Sequence, residues 1–285
     1  MSAAPPAKKP RVGGGPGRGV CIVGVARTPC GSLQGKLSGL KASELAGLAI
    51  KGEASRQNTA YILGAKSEDG LFDAFENVPM GDIAEECARK SDVSREDQDA
   101  YAAESYRRAL EATKTGKFKR EVIEVQVPPV KRGAAPQTVT EDEEVVAREV
   151  NVASLSKLRP CFKPSEDFGP TVTAGNASPI SDGAAALVLM SREKVEALGL
   201  SSNVQAIVRS FADAEQEPRL FTTSPSLAIP KALVNAGIRQ DAVDFFEINE
   251  AFSVVACANM KLLALDAAKV NVYGGTFVAV QAKCL

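Results

Sequence analysis

Apolar residues recur along this chain in two rhythms, short continuous runs and helical stripes. Val20 to Ala26 is a short β-branched run, which predicts a buried strand ended by Arg27-Thr28-Pro29. Leu37 to Gly52 spaces Leu40, Leu45, Leu48 and Ala49 as one helix face does. Asp92 to Lys117 gives the strongest helix pattern. Ser94 and Asp97 form a capping-box pair, Ala102, Tyr106, Ala109 and Thr113 share a face, and Gly116 stands where a C-terminal cap belongs. Val122 to Val130 reads as a strand closed by Pro128-Pro129, and Leu155 to Pro164 and Thr171 to Ile180 are loop-rich. Gly183 to Met190 is continuously apolar, the pattern of a buried strand, followed by a short helix from Arg192 to Leu198. Val204 to Ala212 predicts another strand and Ser226 to Ala236 a helix closed by Gly237. Val243 to Ile248 and Val270 to Val272 are the last strand patterns, with a helical pattern from Ala251 to Leu265 between them. Strands alternating with helices predict an α/β fold.

One stretch concentrates polarity where a strand should stop. After Val243 to Ile248 come Asn249 and Glu250, and then a helix start. Polar side chains at the carboxyl end of a strand, facing a helix N-terminus, are where α/β proteins place chemistry. Asn is also a favoured N-cap, so the residues alone leave a cap and a catalytic amide both open.

Composition narrows the chemistry. The 285 residues carry 34 Lys and Arg against 35 Asp and Glu, so no basic field points to nucleic acid. No apolar run is long enough to span a membrane. Six cysteines (Cys21, Cys30, Cys87, Cys161, Cys257 and Cys284) lack CxxC spacing, which argues against a metal site and for reduced thiols in a cytoplasmic compartment. The sequence contains no histidine, which removes Ser–His and Cys–His catalysis and imidazole ligands. Residues 1–19, rich in Ala, Pro, Gly, Lys and Arg, read as a disordered tail without a secretory apolar segment.

Several motifs stand in order: Val23-Gly24-Val25-Ala26-Arg27-Thr28-Pro29, Thr173-Ala174-Gly175-Asn176-Ala177-Ser178, Ser181-Asp182-Gly183-Ala184-Ala185-Ala186, Asn249-Glu250-Ala251-Phe252, and Val270-Asn271-Val272-Tyr273-Gly274-Gly275. Together they resemble the thiolase family, and most closely its cytosolic acetoacetyl-CoA branch. The resemblance implies a thiolase-like fold of two packed α/β halves with a loop domain, incomplete here in both halves. Its expected divisions are a partial N-terminal half at 20–64, a CoA-covering loop domain at 65–175, the last part of the N-terminal half at 176–203, and a partial C-terminal half at 204–285. The family's reaction joins two acetyl-CoA into acetoacetyl-CoA and CoA through an acyl-cysteine, feeding isoprenoid or ketone-type metabolism. The degradative 3-ketoacyl-CoA type is the alternative within the family.

By motif, Asn249 matches the residue that holds an oxyanion-hole water. Met80, Ser154, Cys161, Phe162, Ala174, Ser178, Ile180, Ala251 and Phe252 match positions that touch CoA, with Pro79 standing where relatives commonly carry His. Met80, Phe162 and Phe252 are also ordinary core residues by type. The resemblance implies CoA thioesters as substrates without a separate cofactor or metal, and a homo-oligomer, dimer or tetramer, with no nucleic-acid or membrane partner.

The departures govern the functional expectation. After Gly52 the sequence runs almost at once into Ser67 to Asp73, where the family carries the segment with its nucleophilic cysteine. After Gly275 the Gly-His-Pro motif and the second catalytic cysteine do not follow. Thiolysis needs a thiolate and a proton-transfer group, and neither has a matching residue. The expected protein is therefore a catalytically incompetent member of the family, with two rivals: a CoA-binding pseudoenzyme that pairs with complete subunits, and a residual acyl-transferase using a relocated cysteine. Sheets that lack strands expose apolar faces and unpaired backbone, so a marginally stable, aggregation-prone chain is also expected.

Overall fold

The computed structural model describes residues 19–53, 71–73, 75–129, 135–146, 150–162 and 168–275. Residues 1–18 of the expected tail, the junction after Glu53, the departing segment from Thr276 onward and Cys284 lie outside the described residues.

The strands are β1 (Val20–Arg27), β2 (Gly31–Ser32), β3 (Val125–Val127), β4 (Gln137–Val139), β5 (Ser181–Asp182), β6 (Ala185–Ser191) and β7 (Ala206–Val208). The helices are α1 (Ala42–Glu53), α2 (Met80–Ser91), α3 (Arg95–Lys114), α4 (Glu143–Val146), α5 (Val152–Leu155), α6 (Arg192–Ala197), α7 (Ser224–Ala236) and α8 (Ser253–Leu263). Their interleaving is the expected α/β order.

The largest sheet runs β6-β1-β7, with both pairings antiparallel and a register irregularity in β1 between Ile22 and Gly24. β2–β5 and β3–β4 form separate two-stranded pieces. Parallel pairing among the described residues is confined to isolated bridges, Arg27 with Val122 and Phe246 with Val270.

Helix boundaries follow their capping chemistry. The Ser94 hydroxyl accepts from Asp97 N, and the Asp97 carboxylate accepts from Ser94 N, the predicted reciprocal cap of α3. Ala102, Tyr106 and Ala109 are buried along one face, while Thr113 is only partly so. α7 ends at Gly237 as predicted, with φ +66°. α1 begins at Ala42 rather than Leu37, because residues 33–40 close a series of turns.

Three strand predictions are corrected in extent. Val243 to Ile248 and Val270 to Val272 do not form a ladder. They meet at the single bridge, through Phe246 N to Lys269 O at 2.8 Å and Asn271 N to Phe246 O at 2.8 Å. Val204 to Ala212 likewise pairs only over Ala206–Val208. An apolar run becomes a strand only where another backbone lies alongside it. β6 is corrected in its environment: it is a strand, but its residues alternate exposed and half-buried.

Three apolar clusters hold the chain together. The main one packs α2 against α8, with Ala84, Cys87, Ala88, Val254, Val255 and Ala258 joined by Val172, Phe246, Ile248 and Val270. A second joins Leu37 and Leu45 to Val125, Val127 and Val139, and a third joins Tyr106 and Ala109 to Val145.

Candidate functional site

The loop between Ile248 and α8 sends two neighbouring polar side chains different ways. Glu250 is fully buried and Asn249 is exposed. α8 starts at Ser253 with Phe252 in the N-cap position and no side-chain cap bond, so Asn249 is not a helix cap.

A buried carboxylate must be met by donors. Glu250 Oε1 accepts from Tyr101 Oη at 2.5 Å and from Asn271 Nδ2 at 2.8 Å, and Oε2 accepts from Ser105 Oγ at 2.9 Å. Asn271 Nδ2 also reaches the Ile248 carbonyl at 2.8 Å, while Asn271 Oδ1 accepts from Ile248 N at 2.8 Å. Tyr101 and Ser105 are one turn apart on α3, so one carboxylate ties that helix to the loop and to Asn271. Burial, then the charge of Glu250, pushes the Tyr101 phenol well above its ordinary value of 10.0. Gly275 approaches so closely that an added Cβ would lie 2.2 Å from Glu250 Cδ, and Gly275 N donates to Ser105 Oγ at 3.1 Å.

The loop's other flank is the segment carrying Thr173 to Ser178. Ser178 N donates to Ala251 O at 3.0 Å, Ser253 N donates to Asn176 O at 2.9 Å, and Ala177 bridges Phe252. Asn176 is fully buried; its Nδ2 donates to Asp99 Oδ1 and Thr171 O at 2.9 Å each, and its Oδ1 accepts from Thr173 N at 2.8 Å. Glu85 on α2, also buried, accepts from Thr171 N, Thr171 Oγ1 and Val172 N within 3.0 Å. Glu85 and Asn176 therefore fix the backbone from Thr171 to Thr173, while Asn271 fixes Ile248 and holds Glu250 beside it.

Five of the predicted CoA-contact residues come together. Met80, Phe162, Ala251 and Phe252 join the main cluster, with the Phe162 and Phe252 rings edge-to-face at 6.3 Å, and Ser178 is bonded to Ala251. Gly81 admits Phe162, since a Cβ there would sit 2.2 Å from the ring. Ser154 caps α5 reciprocally with Asn151, and the turn at Ala174 to Asn176 lies against that helix through Gly175 and Leu155. Ala174 is exposed, and Ile180 faces outward at 51% exposure. Cys161 is exposed, with its N–H bonded to Val172 O at 2.9 Å.

Of the described cysteines, Cys21, Cys30, Cys87 and Cys257 are buried and Cys161 alone is exposed. Burial pushes the Cys87 thiol up, and burial followed by the charge of Asp97 pushes Cys257 up to about 12. Neither is an activated nucleophile. A cleft of about 280 Å³ between Thr113, Phe118, Lys119, Ile123, Glu124 and Asp142 shares no lining residue with the Phe252 cluster.

The sequence points to Glu250 with Asn249 as polar residues placed for chemistry and carries Asn176 and Asn271 inside motifs, but Tyr101, Ser105 and Glu85 were missed. The available signal was a polar residue on an apolar helix face, such as Glu85 between Ala84 and Cys87.

Comparison with known proteins covers both parts of the chain. The family description "Thiolase, N-terminal domain" matches residues 52–193 and "Thiolase, C-terminal domain" matches residues 202–280. An acetyl-CoA acetyltransferase of Schizosaccharomyces pombe is 51% identical over 207 residues, covering 73% of this chain and 50% of that protein. "Acetyl-CoA acetyltransferase ERG10, cytosolic" of Gibberella zeae is 47% identical over 209 residues, again 73% of this chain and 50% of its own length. This chain thus spans about half the length of the curated relatives it matches. The crystal structure of human mitochondrial 3-ketoacyl-CoA thiolase in complex with CoA superposes with a TM-score of 0.78 at 26% identity, covering 92% of this chain and 86% of that one.

Proposed function

Because the chain belongs to the thiolase family, we propose that it binds CoA and short acyl-CoA thioesters of the acetyl-CoA acetyltransferase kind without turning them over by itself. The observation that carries this reading is the junction of Phe252, Phe162 and Ser178. It brings together residues that match CoA contacts and leaves Asn249 exposed at its edge. In this reading Met80, Phe162 and Phe252 form an apolar wall for the thioester arm, and Ser154, Cys161, Ala174, Ser178, Ile180 and Ala251 lie along the ligand's path. Asn249 holds the water that would face a developing oxyanion. The division of the chain into an N-terminal half, a loop domain and a C-terminal half, broken at 203/204, belongs to the same reading.

Absence of turnover follows from the residues this chain supplies. It has no histidine for proton transfer, and burial holds Cys87 and Cys257 as thiols. The curated relatives matched at 47–51% identity carry acetyl-CoA acetyltransferase names, which supports the biosynthetic type. The relative named cytosolic supports a cytosolic location, and among the described residues no helix is long and apolar enough to cross a membrane.

Thiolysis of acetoacetyl-CoA by the purified, folded chain tests the reading, with a complete thiolase as control. No turnover is expected. One observation favours a second reading, residual acyl transfer: the exposed Cys161 sits beside Phe162. That reading requires acetyl-CoA to label Cys161 and requires Cys161→Ala to abolish the label.

A further inference from the structure

The N-terminal turns of α3 carry an ion pair that the CoA reading leaves unused. Arg95 Nε donates to Asp99 Oδ2 at 2.7 Å, and the other Asp99 oxygen, Oδ1, accepts from Asn176 Nδ2 at 2.9 Å. The same guanidinium donates through Nη2 to the carbonyl of Leu155 at 2.8 Å and to that of Leu158 at 3.1 Å. Asp99 is buried, and Arg95 is partly open. Two pieces of irregular chain are therefore tied to one long helix. The end of α5 is held through its carbonyls, and the turn that follows Thr173 is held through Asn176. The two pieces also touch. A Cβ on Gly175 would lie 2.4 Å from Leu155 Cδ2 and 2.5 Å from Leu158 Cδ1, so the turn rests on the side chains of the same two leucines. Beyond Asn176 the link continues into α8, because Asn176 O accepts from Ser253 N at 2.9 Å.

We propose that Arg95 and Asp99 are a positioning pair that sets the spacing between the two walls of the CoA junction, with Ser154 on one and Ala174 and Ser178 on the other. The inference rests on the CoA reading above, and neither residue touches the ligand. An ion pair of this kind contributes little net stability, because desolvation offsets much of the Coulomb attraction. What it fixes is geometry. Asp99 gives one oxygen to Arg95 and one to Asn176, and charge-assisted bonds of this kind are short and directional. Lys does not replace Arg here, because a single ammonium on a flexible stem lacks the planar fork that meets a carboxylate and two carbonyls together. A spacing fixed in this way matters most to a ligand that spans both pieces. CoA is such a ligand: its thioester arm takes the Phe162–Phe252 wall, and the rest of the molecule runs along the exposed Ser154 and Ala174.

Titration of CoA and of S-acetylpantetheine, the thioester arm alone, into the folded chain tests the pair. Arg95→Lys is expected to raise the Kd for CoA about tenfold and to leave that for S-acetylpantetheine unchanged. Asp99→Asn, which keeps an acceptor for Asn176 and loses the charge facing Arg95, shows the same split. Arg107→Lys, on the exposed face of the same helix beside Glu104 and Glu111, changes neither. Amide hydrogen exchange adds a reading without ligand. In Arg95→Lys, peptides covering 150–162 and 171–178 exchange faster together, while β1 exchanges as in the parent chain. An unchanged Kd for CoA in Arg95→Lys, an equal loss for both ligands, or faster exchange that extends to β1 would each overturn the proposal. A parent chain that binds neither ligand overturns the CoA reading and the proposal with it, whereas normal binding by the parent and an unchanged Kd in the variant overturn the pair alone.

Discussion

Tyr101 Oη and Glu250 Oε1 are 2.5 Å apart, and this bond fastens α3, the longest of the described helices, to the loop that displays Asn249. The carboxylate is fully buried, so donors such as Tyr101, Ser105 and Asn271 substitute for water. Tyr101→Phe removes one donor and leaves the acceptor in place. We expect a loss of about 1–3 kcal/mol of stability in denaturant unfolding.

The same bond predicts an alkaline limb. The Tyr101 phenol titrates well above its ordinary 10.0 in the folded chain, mainly through burial and then through the Glu250 charge. The unfolded chain therefore releases this proton first as pH rises. The stability contributed is fully present below pH 10.0 and is lost as pH climbs through the folded value. Thermal unfolding of Tyr101→Phe should show a flatter decline above that pH than the parent chain does.

Two glycines next to this network should not tolerate a methyl group. Gly274 has φ +76°, and a Cβ there would lie 2.6 Å from both Ala109 Cβ and Ser105 O. At Gly275 a Cβ would meet the Glu250 carboxylate. Gly275→Ala is expected to cost about 1–3 kcal/mol through overpacking, and Gly274→Ala at least as much because backbone strain adds to it. Melting temperatures of the two variants check this.

A buried ion pair sits apart from the candidate site. Arg27 donates to both Asp142 oxygens, at 2.7 and 3.0 Å, and to Glu121 at 2.7 Å, with its guanidinium 5.2 Å from the Phe118 ring centroid. Burial works against the Arg27 charge, but the hydrogen bonds and charges of Asp142, with Cys30 and Glu121, together raise its pKa. Asp142→Ala leaves the cation with Glu121 as its remaining carboxylate partner and should cost up to about 3–5 kcal/mol. Arg27→Met combined with Asp142→Leu should recover most of that loss, which chemical denaturation of the three chains would reveal.

Much of this architecture was legible in the sequence because its signals are local. Ser94 and Asp97 announced the start of α3, Gly237 the end of α7, and the β-branched run from Val20 announced β1. The motif around Asn249 pointed to the candidate site through its family resemblance, since an N-cap explained the residue pattern equally well. What the sequence could not show was pairing. Val243 to Ile248 has a strand's composition, yet it meets one bridging residue. β6 has a buried strand's composition, yet it lies at an open edge. Both outcomes depend on which backbone lies alongside, and periodicity does not carry that information. Tyr101 and Ser105 were missed for a related reason: their partner, Glu250, is 149 and 145 positions away.

Thiol reactivity offers a further check on which cysteine faces the candidate site. With Cys257 pushed up to about 12 and Cys87 raised by burial, Cys161 should be alkylated well before either in the folded chain. Peptide mapping after brief iodoacetamide treatment measures the order, and CoA should slow modification of Cys161 alone.

Calorimetric titration of CoA into the folded chain, with Phe252→Ala beside it, tests the central claim most directly. The account predicts saturable binding to the parent chain and a Kd raised about tenfold or more by the loss of the Phe252 ring from its contact with Phe162. A folded parent chain that gives no binding heat at any CoA concentration, and no protection of Cys161, would contradict it.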